Sequence, residues 1–163
     1  MDIRKIYEYA LAREHEGKRF FQENAARLSH SAAVGAFQRL AEEEQRHIEF
    51  IQLQISLLEN PGPANPATPQ YPFDTDYFTQ RATSEVIDQT VYESMVPDLP
   101  VLRMAYLIER DFAEFYESSS REVDGQARTV LESLAAWERN HERFFKQLHE
   151  RVLEQYGEMP WGG

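Results

Sequence analysis

"LAEEEQRH" at residues 40–47 and "LAAWERNH" at 134–141 share one frame: Leu-Ala at the start, a glutamate fifth, a histidine eighth. The glutamate triplet of the first stretch is missing from the second, so only Glu44 and His47 on one side, and Glu138 and His141 on the other, belong to the shared pattern. The likeness extends outward. "ALAREHEGKRFF" (10–21) lies over "AYLIERDFAEFY" (105–116), which matches Glu14 with Glu109 and Phe20 with Phe115. The chain therefore reads as a repeated unit, each copy a glutamate followed about 30 residues later by Glu-x-x-His.

Helical phase says where these side chains point. At about 100° per residue, Phe37, Leu40, Ala41, His47, Ile48, Ile51, Ile55 and Leu58 all fall within roughly 60° of Glu44. Glu44 thus sits in the middle of an apolar stripe. Glu43 lies about 100° away and Glu42 about 160° away, which predicts two solvated glutamates beside one buried one. The same test surrounds Glu14 with Tyr7, Ala10, Gly17, Phe21, Ala25 and Leu28. It surrounds Glu109 with Leu102, Ala105, Phe112 and Tyr116. Leu131, Leu134, Phe145 and Val152 flank Glu138 and His141.

The elements around these residues read as helices. Residues 2–28 carry no proline and suit a long helix. "SHSA" (29–32) is a break with a serine N-cap candidate, and residues 31–59 form a second helix. The proline-rich "NPGPANPATPQYP" (60–72) opens a crossover that runs to residue 98 and holds a short helix over 83–95. Helix three is expected over 99–121, a turn at "VDGQ" (123–126), and helix four over 127–156. Strand signals are absent. The expectation is an all-α fold, a four-helix bundle of two hairpins (2–59 and 99–157) joined by one long crossover, in a single domain over 1–163.

Composition narrows the function. The formal net charge of −11 argues against nucleic acid or an anionic membrane surface as partner. The absence of cysteine excludes disulfides, zinc ribbons and iron–sulfur clusters. No stretch approaches the roughly 18 apolar residues of a membrane span, and a cytoplasmic protein is expected. Four carboxylates and two imidazoles entering one core are costly unless paired, and two divalent cations would balance them. Glu14, Glu44, His47, Glu109, Glu138 and His141 are the candidate metal ligands. Carboxylate with imidazole suits Fe²⁺ or Mn²⁺, with Zn²⁺ as a possible substitute. Tyr116 lies two turns from Glu109 on the same face, where its hydroxyl can bond a ligand or supply an electron. His15 is expected at the surface, His30 in the turn, and His149 in a packing or capping role.

With these residues in hand, the sequence resembles the ferritin-like superfamily, and within it the rubrerythrin/erythrin group, over about 5–157. "AREHEGKRFF" looks like the group's first-helix signature and "LIERDFAEFYE" like its third-helix counterpart. The resemblance implies the same six ligands around two iron ions per chain, with Glu44 and Glu138 bridging. It implies a non-haem di-iron oxidoreductase that reduces hydrogen peroxide or O₂ by two electrons as Fe²⁺ is oxidised. A homodimer is implied as well. Two departures stand out. The rubredoxin domain is missing, so electrons are expected from an external donor such as a rubredoxin or a reductase. Phe112 occupies the place of an extra carboxylate one turn beyond the third-helix ligand. The rival expectation is a ferritin-like iron-binding or storage protein with ferroxidase activity.

Overall fold

The computed structural model describes residues 2–60 and 94–159. Among these residues all regular structure is helical: α1 (Ile3–Ala25), α2 (Ser31–Glu59), a 3₁₀ turn (Val96–Asp98), α3 (Leu99–Ser120) and α4 (Gly125–Glu158). The short helix expected over 83–95 and the proline-rich 60–72 lie almost wholly outside the described residues.

Helix ends follow local chemistry. The Asp2 carboxylate accepts from the Arg4 backbone N–H at 3.1 Å and caps α1. The cap of α2 is His30, not a serine: its Nδ1 accepts from the Ala32 N–H at 3.1 Å. Pro97 and Pro100 sit in the first turns of the 3₁₀ segment and α3, where their missing N–H costs nothing. α1 stops three residues short of the expected end. α4 starts two residues early on Gly125, whose φ of +61° is open to glycine at little cost.

Antiparallel contacts order the four helices. Within the first hairpin, Arg4 meets Glu59 at 2.7 Å and Lys18 meets Gln45 at 2.7 Å. Within the second, Glu117 holds Arg139 through two hydrogen bonds at 2.7 and 2.9 Å. Between hairpins, Tyr9 packs on Phe115 and Phe37 on Phe145. Buried Asp98, at the head of α3, accepts from the Ser29 N–H with both oxygens, at 2.9 and 3.1 Å. Glu59 therefore lies at one end of the bundle and Asp98 at the other. The chain leaves α2 at one end and enters α3 at the opposite end.

The apolar core falls into two clusters. One gathers Ile6, Tyr7, Ala10, Phe50, Ile51, Phe112, Tyr116, Leu131 and Leu134. The other gathers Phe21, Phe37, Leu40, Leu102, Ala105, Phe145 and Val152. Each fully buried large side chain contributes about 1.5–3 kcal/mol. On all four helices the predicted ligands stand between the residues of one cluster and those of the other, so a polar layer crosses the bundle. Gly17 and Phe112, which occupy matching places in the two hairpins, meet beside it. A Cβ on Gly17 would come within 2.9 Å of Phe112 Cε2, so the absence of a side chain on α1 makes room for the ring on α3. No helix among the described residues is long and apolar enough to cross a membrane.

Candidate metal centre

Glu14 of α1, Glu44 and His47 of α2, Glu109 of α3, and Glu138 and His141 of α4 all point into that layer. Five have no solvent exposure and His141 is 3% exposed. Their placement follows from the stripes: i, i+3 spacing puts each Glu-x-x-His pair on one helix face, and the lone glutamates face them from α1 and α3. His47 Nδ1 lies 2.9 Å from Glu138 Oε1, 3.2 Å from Glu14 Oε2 and 3.8 Å from Glu44 Oε2. His141 Nδ1 lies 3.2 Å from Glu109 Oε2 and 3.3 Å from Glu138 Oε2. The imidazole rings are 5.6 Å apart and nearly parallel, at 19°.

The six residues form two overlapping groups, each able to hold an ion. One is Glu14, Glu44, His47 and Glu138; the other is Glu44, Glu109, Glu138 and His141. Within each group one ligand atom per residue lies within 4.8 Å of the others. Glu44 and Glu138 belong to both. The donor set fits a pair of cations in a second way. Both oxygens of Glu44 and Oε1 of Glu109 are buried without a hydrogen-bond donor. A buried carboxylate oxygen in that state is expensive, and coordination would satisfy it.

Electrostatics show the same crowding. Burial, reinforced by the charges of Glu14, Glu138 and Glu109, pushes Glu44 well above the usual carboxylate range. Burial and Glu138 do the same to Glu109. Burial would also raise Glu138, but the His47 charge and bonds to His141 and His47 hold it below the usual range. Burial disfavours a charged His47, yet Glu138 and Glu14 outweigh it and lift the imidazole to about 10. His141 is raised in the same way by Glu109, Glu138 and Glu43. In the metal-free chain, protons neutralise what cations could.

The ring of residues around the ligands holds one expected and one unexpected member. The Tyr116 hydroxyl donates to Glu14 Oε1, and its own ionisation is strongly suppressed by burial and by the Glu14 and Glu138 charges. Glu43 corrects the phase reading. It is 7% exposed, not solvated, and its Oε2 lies 3.1 Å from His141 Nε2. The flank of α2 that carries Glu43 faces α4, so a position about 100° off the stripe is still inside a four-helix core. Glu42 is exposed as expected, and so is His15. His149 packs its ring against Tyr106 at 5.5 Å.

No protein-family model, curated protein or solved structure matches the chain. The fold and the layer define its class: a helical bundle whose buried glutamate–histidine groups can hold metal ions.

Proposed function

We propose that the chain is a ferritin-like, rubrerythrin-type di-iron oxidoreductase. Its activity is the two-electron reduction of hydrogen peroxide, or of O₂, coupled to Fe²⁺ oxidation. The observation that carries this reading is the convergence of six oxygen and nitrogen donor side chains from four helices, with Glu44 and Glu138 common to two four-residue groups. Two ferrous ions held there would supply the two electrons that, with two protons, reduce H₂O₂ to two waters.

The chain's residues divide the remaining work. Glu44 and Glu138 belong to both groups and would be the carboxylates that two ions share. Glu14 with His47, and Glu109 with His141, would complete the two sets of ligands. Tyr116 donates to Glu14 Oε1 and holds that carboxylate in its orientation. The apolar clusters above and below exclude bulk water. An external donor such as a rubredoxin or a reductase would supply the electrons that each turnover consumes. The assembly is a homodimer, which light scattering checks.

Phe112 favours a second reading. Where an extra carboxylate would let iron move between ligands, the chain has a buried ring with the Arg13 guanidinium 4.7 Å above it. A ferroxidase that passes iron into storage needs no such movement. Anaerobic Fe²⁺ loading followed by separate H₂O₂ and O₂ challenges, read by stopped-flow absorbance, separates the two. The oxidoreductase takes up two iron ions per chain, reacts faster with peroxide and then stops until a donor is added. Equal rates with O₂, with iron accumulating far beyond two per chain, would establish storage instead.

A further inference from the structure

The outward face of α2 carries a pattern that the metal centre does not use. Gly35, Arg39, Glu42, Arg46, Glu49 and Leu53 follow one another at steps of four, three, four, three and four residues. That is the spacing of a seam along which one helix packs on another. At about 100° per residue all six lie within about 40° of the direction opposite Glu44, so the seam faces away from the bundle. Leu53, large and apolar, is 50% exposed, and Glu42 and Glu49 are exposed as well. A Cβ placed on Gly35 would meet nothing within 4 Å, so the other end of the seam is open space.

In reverse order the seam is its own complement. When a second α2 runs antiparallel along the first, centred on residue 44, Gly35 meets the partner's Leu53, Arg39 meets the partner's Glu49 and Glu42 meets the partner's Arg46. Two-fold symmetry repeats each contact in the other direction. The result is four arginine–glutamate pairs flanked by two leucines, each set against a glycine, over about 27 Å of helix. Charge favours this face over others. A chain of net charge −11 repels a copy of itself over most of its surface, but two arginines and two glutamates cancel along the seam. An open groove between α1 and α2, lined in part by Ala25, Val34 and Ala41, borders the seam at Glu42, Arg46 and Glu49 and leaves a neighbouring chain room to sit close.

We infer that this seam is the surface through which two copies of the chain pair, α2 antiparallel to α2. The inference rests on the homodimer reading above and gives that dimer its contact. A foreign helix would match some of these positions. A second copy matches all of them, with the opposite charge at every charged position and a gap for each leucine. The metal layer is not involved, because Glu44 and His47 point into the bundle and are fully buried.

Sedimentation equilibrium of the full-length chain over a wide range of concentration tests this. The expected result is a reversible equilibrium between one chain and two. Glu42→Arg sets arginine against arginine at both central pairs, and Arg46→Glu sets glutamate against glutamate. Each alone should weaken the dimer at least about tenfold. An equimolar mixture of the two variants restores opposite charges at both pairs and should dimerise like the parent. The double variant Glu42→Arg/Arg46→Glu should do the same. Leu53→Gln, at the end of the seam, should weaken the dimer by an independent route. These positions lie at the surface and their substitution leaves the fold intact, which circular dichroism checks. A dimer indifferent to the three single substitutions, or no recovery in the mixture, would overturn the seam while leaving the homodimer reading standing. A chain that stays monomeric at every concentration would overturn both, and would leave the outer face of α2 to another protein or to none.

Discussion

Replacing Gly17 with alanine tests how tightly the polar layer is built into the packing. In an exposed helix the change would stabilise by about 1 kcal/mol, because alanine is the better helix former. Here the new methyl carbon would stand 2.9 Å from Phe112 Cε2, 3.3 Å from Phe112 Cζ and 3.4 Å from Glu44 Oε2. The ring has little room to retreat. Phe112 is 3% exposed, and the Arg13 guanidinium lies 4.7 Å over its face. Overpacking of this kind costs about 1–3 kcal/mol. The net expectation for Gly17→Ala is a loss of about 1 kcal/mol, or about 2–4 °C in Tm for a chain of this size. Urea denaturation of the metal-free protein measures it with ligand chemistry kept out. The sharper test is the background. With Phe112→Leu already in place the clash is relieved, and Gly17→Ala should then stabilise, giving a coupling of about 1–3 kcal/mol. A Gly17→Ala variant more stable than the parent would refute the steric argument. So would the same loss in both backgrounds.

Three further outcomes are expected. Glu138→Ala should lower metal content at both groups, while Glu42→Ala, with its side chain 64% exposed, should leave it unchanged; elemental analysis after dialysis reads both, and equal losses would discredit the two-group assignment. Metal-free protein should melt at progressively lower temperature from pH 5 to 9. Glu44, Glu109, His47 and His141 are all raised in the folded chain, so their stabilisation is complete below the ordinary values of 4.5 and 6.5 and drains away as pH climbs, for His47 through about 10. The lowered Glu138 contributes above 4.5 and does not change over that range. Metal-loaded protein should instead gain stability as pH rises from 5, because protons compete for its ligands, and parallel melting curves would contradict the clustering. Asp98→Ala should cost about 1 kcal/mol in denaturant unfolding, since it removes the buried acceptor of the Ser29 N–H, which water can then reach.

Much of this was legible in the sequence, and what was not has physical causes. Glu44, His47, Glu138 and His141 were marked by two aligned copies of one spacing, and helical phase alone turned them inward with Glu14 and Glu109. Phase fails at Glu43 because a stripe drawn for one helix is narrower than the interior shared by four. The asymmetry between positions 43 and 137 was present in the alignment, as glutamate against tryptophan, but only contacts between hairpins give it meaning. Asp98 stands at the N-cap position of α3, yet its carboxylate serves a backbone N–H 69 residues earlier, a pairing no periodicity encodes. His30 capped α2 in place of a neighbouring serine because its Nδ1 is also an acceptor.

The close approach of Gly17 to Phe112 bears on why both hairpins belong to one chain. Two separate copies of a single hairpin could also assemble four antiparallel helices, related by a two-fold axis through the polar layer. That axis would place the same residue on both sides of itself. Two phenylalanines there would collide, and two glycines would leave a hole beside Glu44. The same rule would give both histidines a carboxylate neighbour or both an indole. Covalent joining lifts the rule, so the two sides can differ residue by residue. A hairpin dimer would be bound to surround its two histidines identically, whereas the fused chain sets Glu43 beside one and Trp137 beside the other.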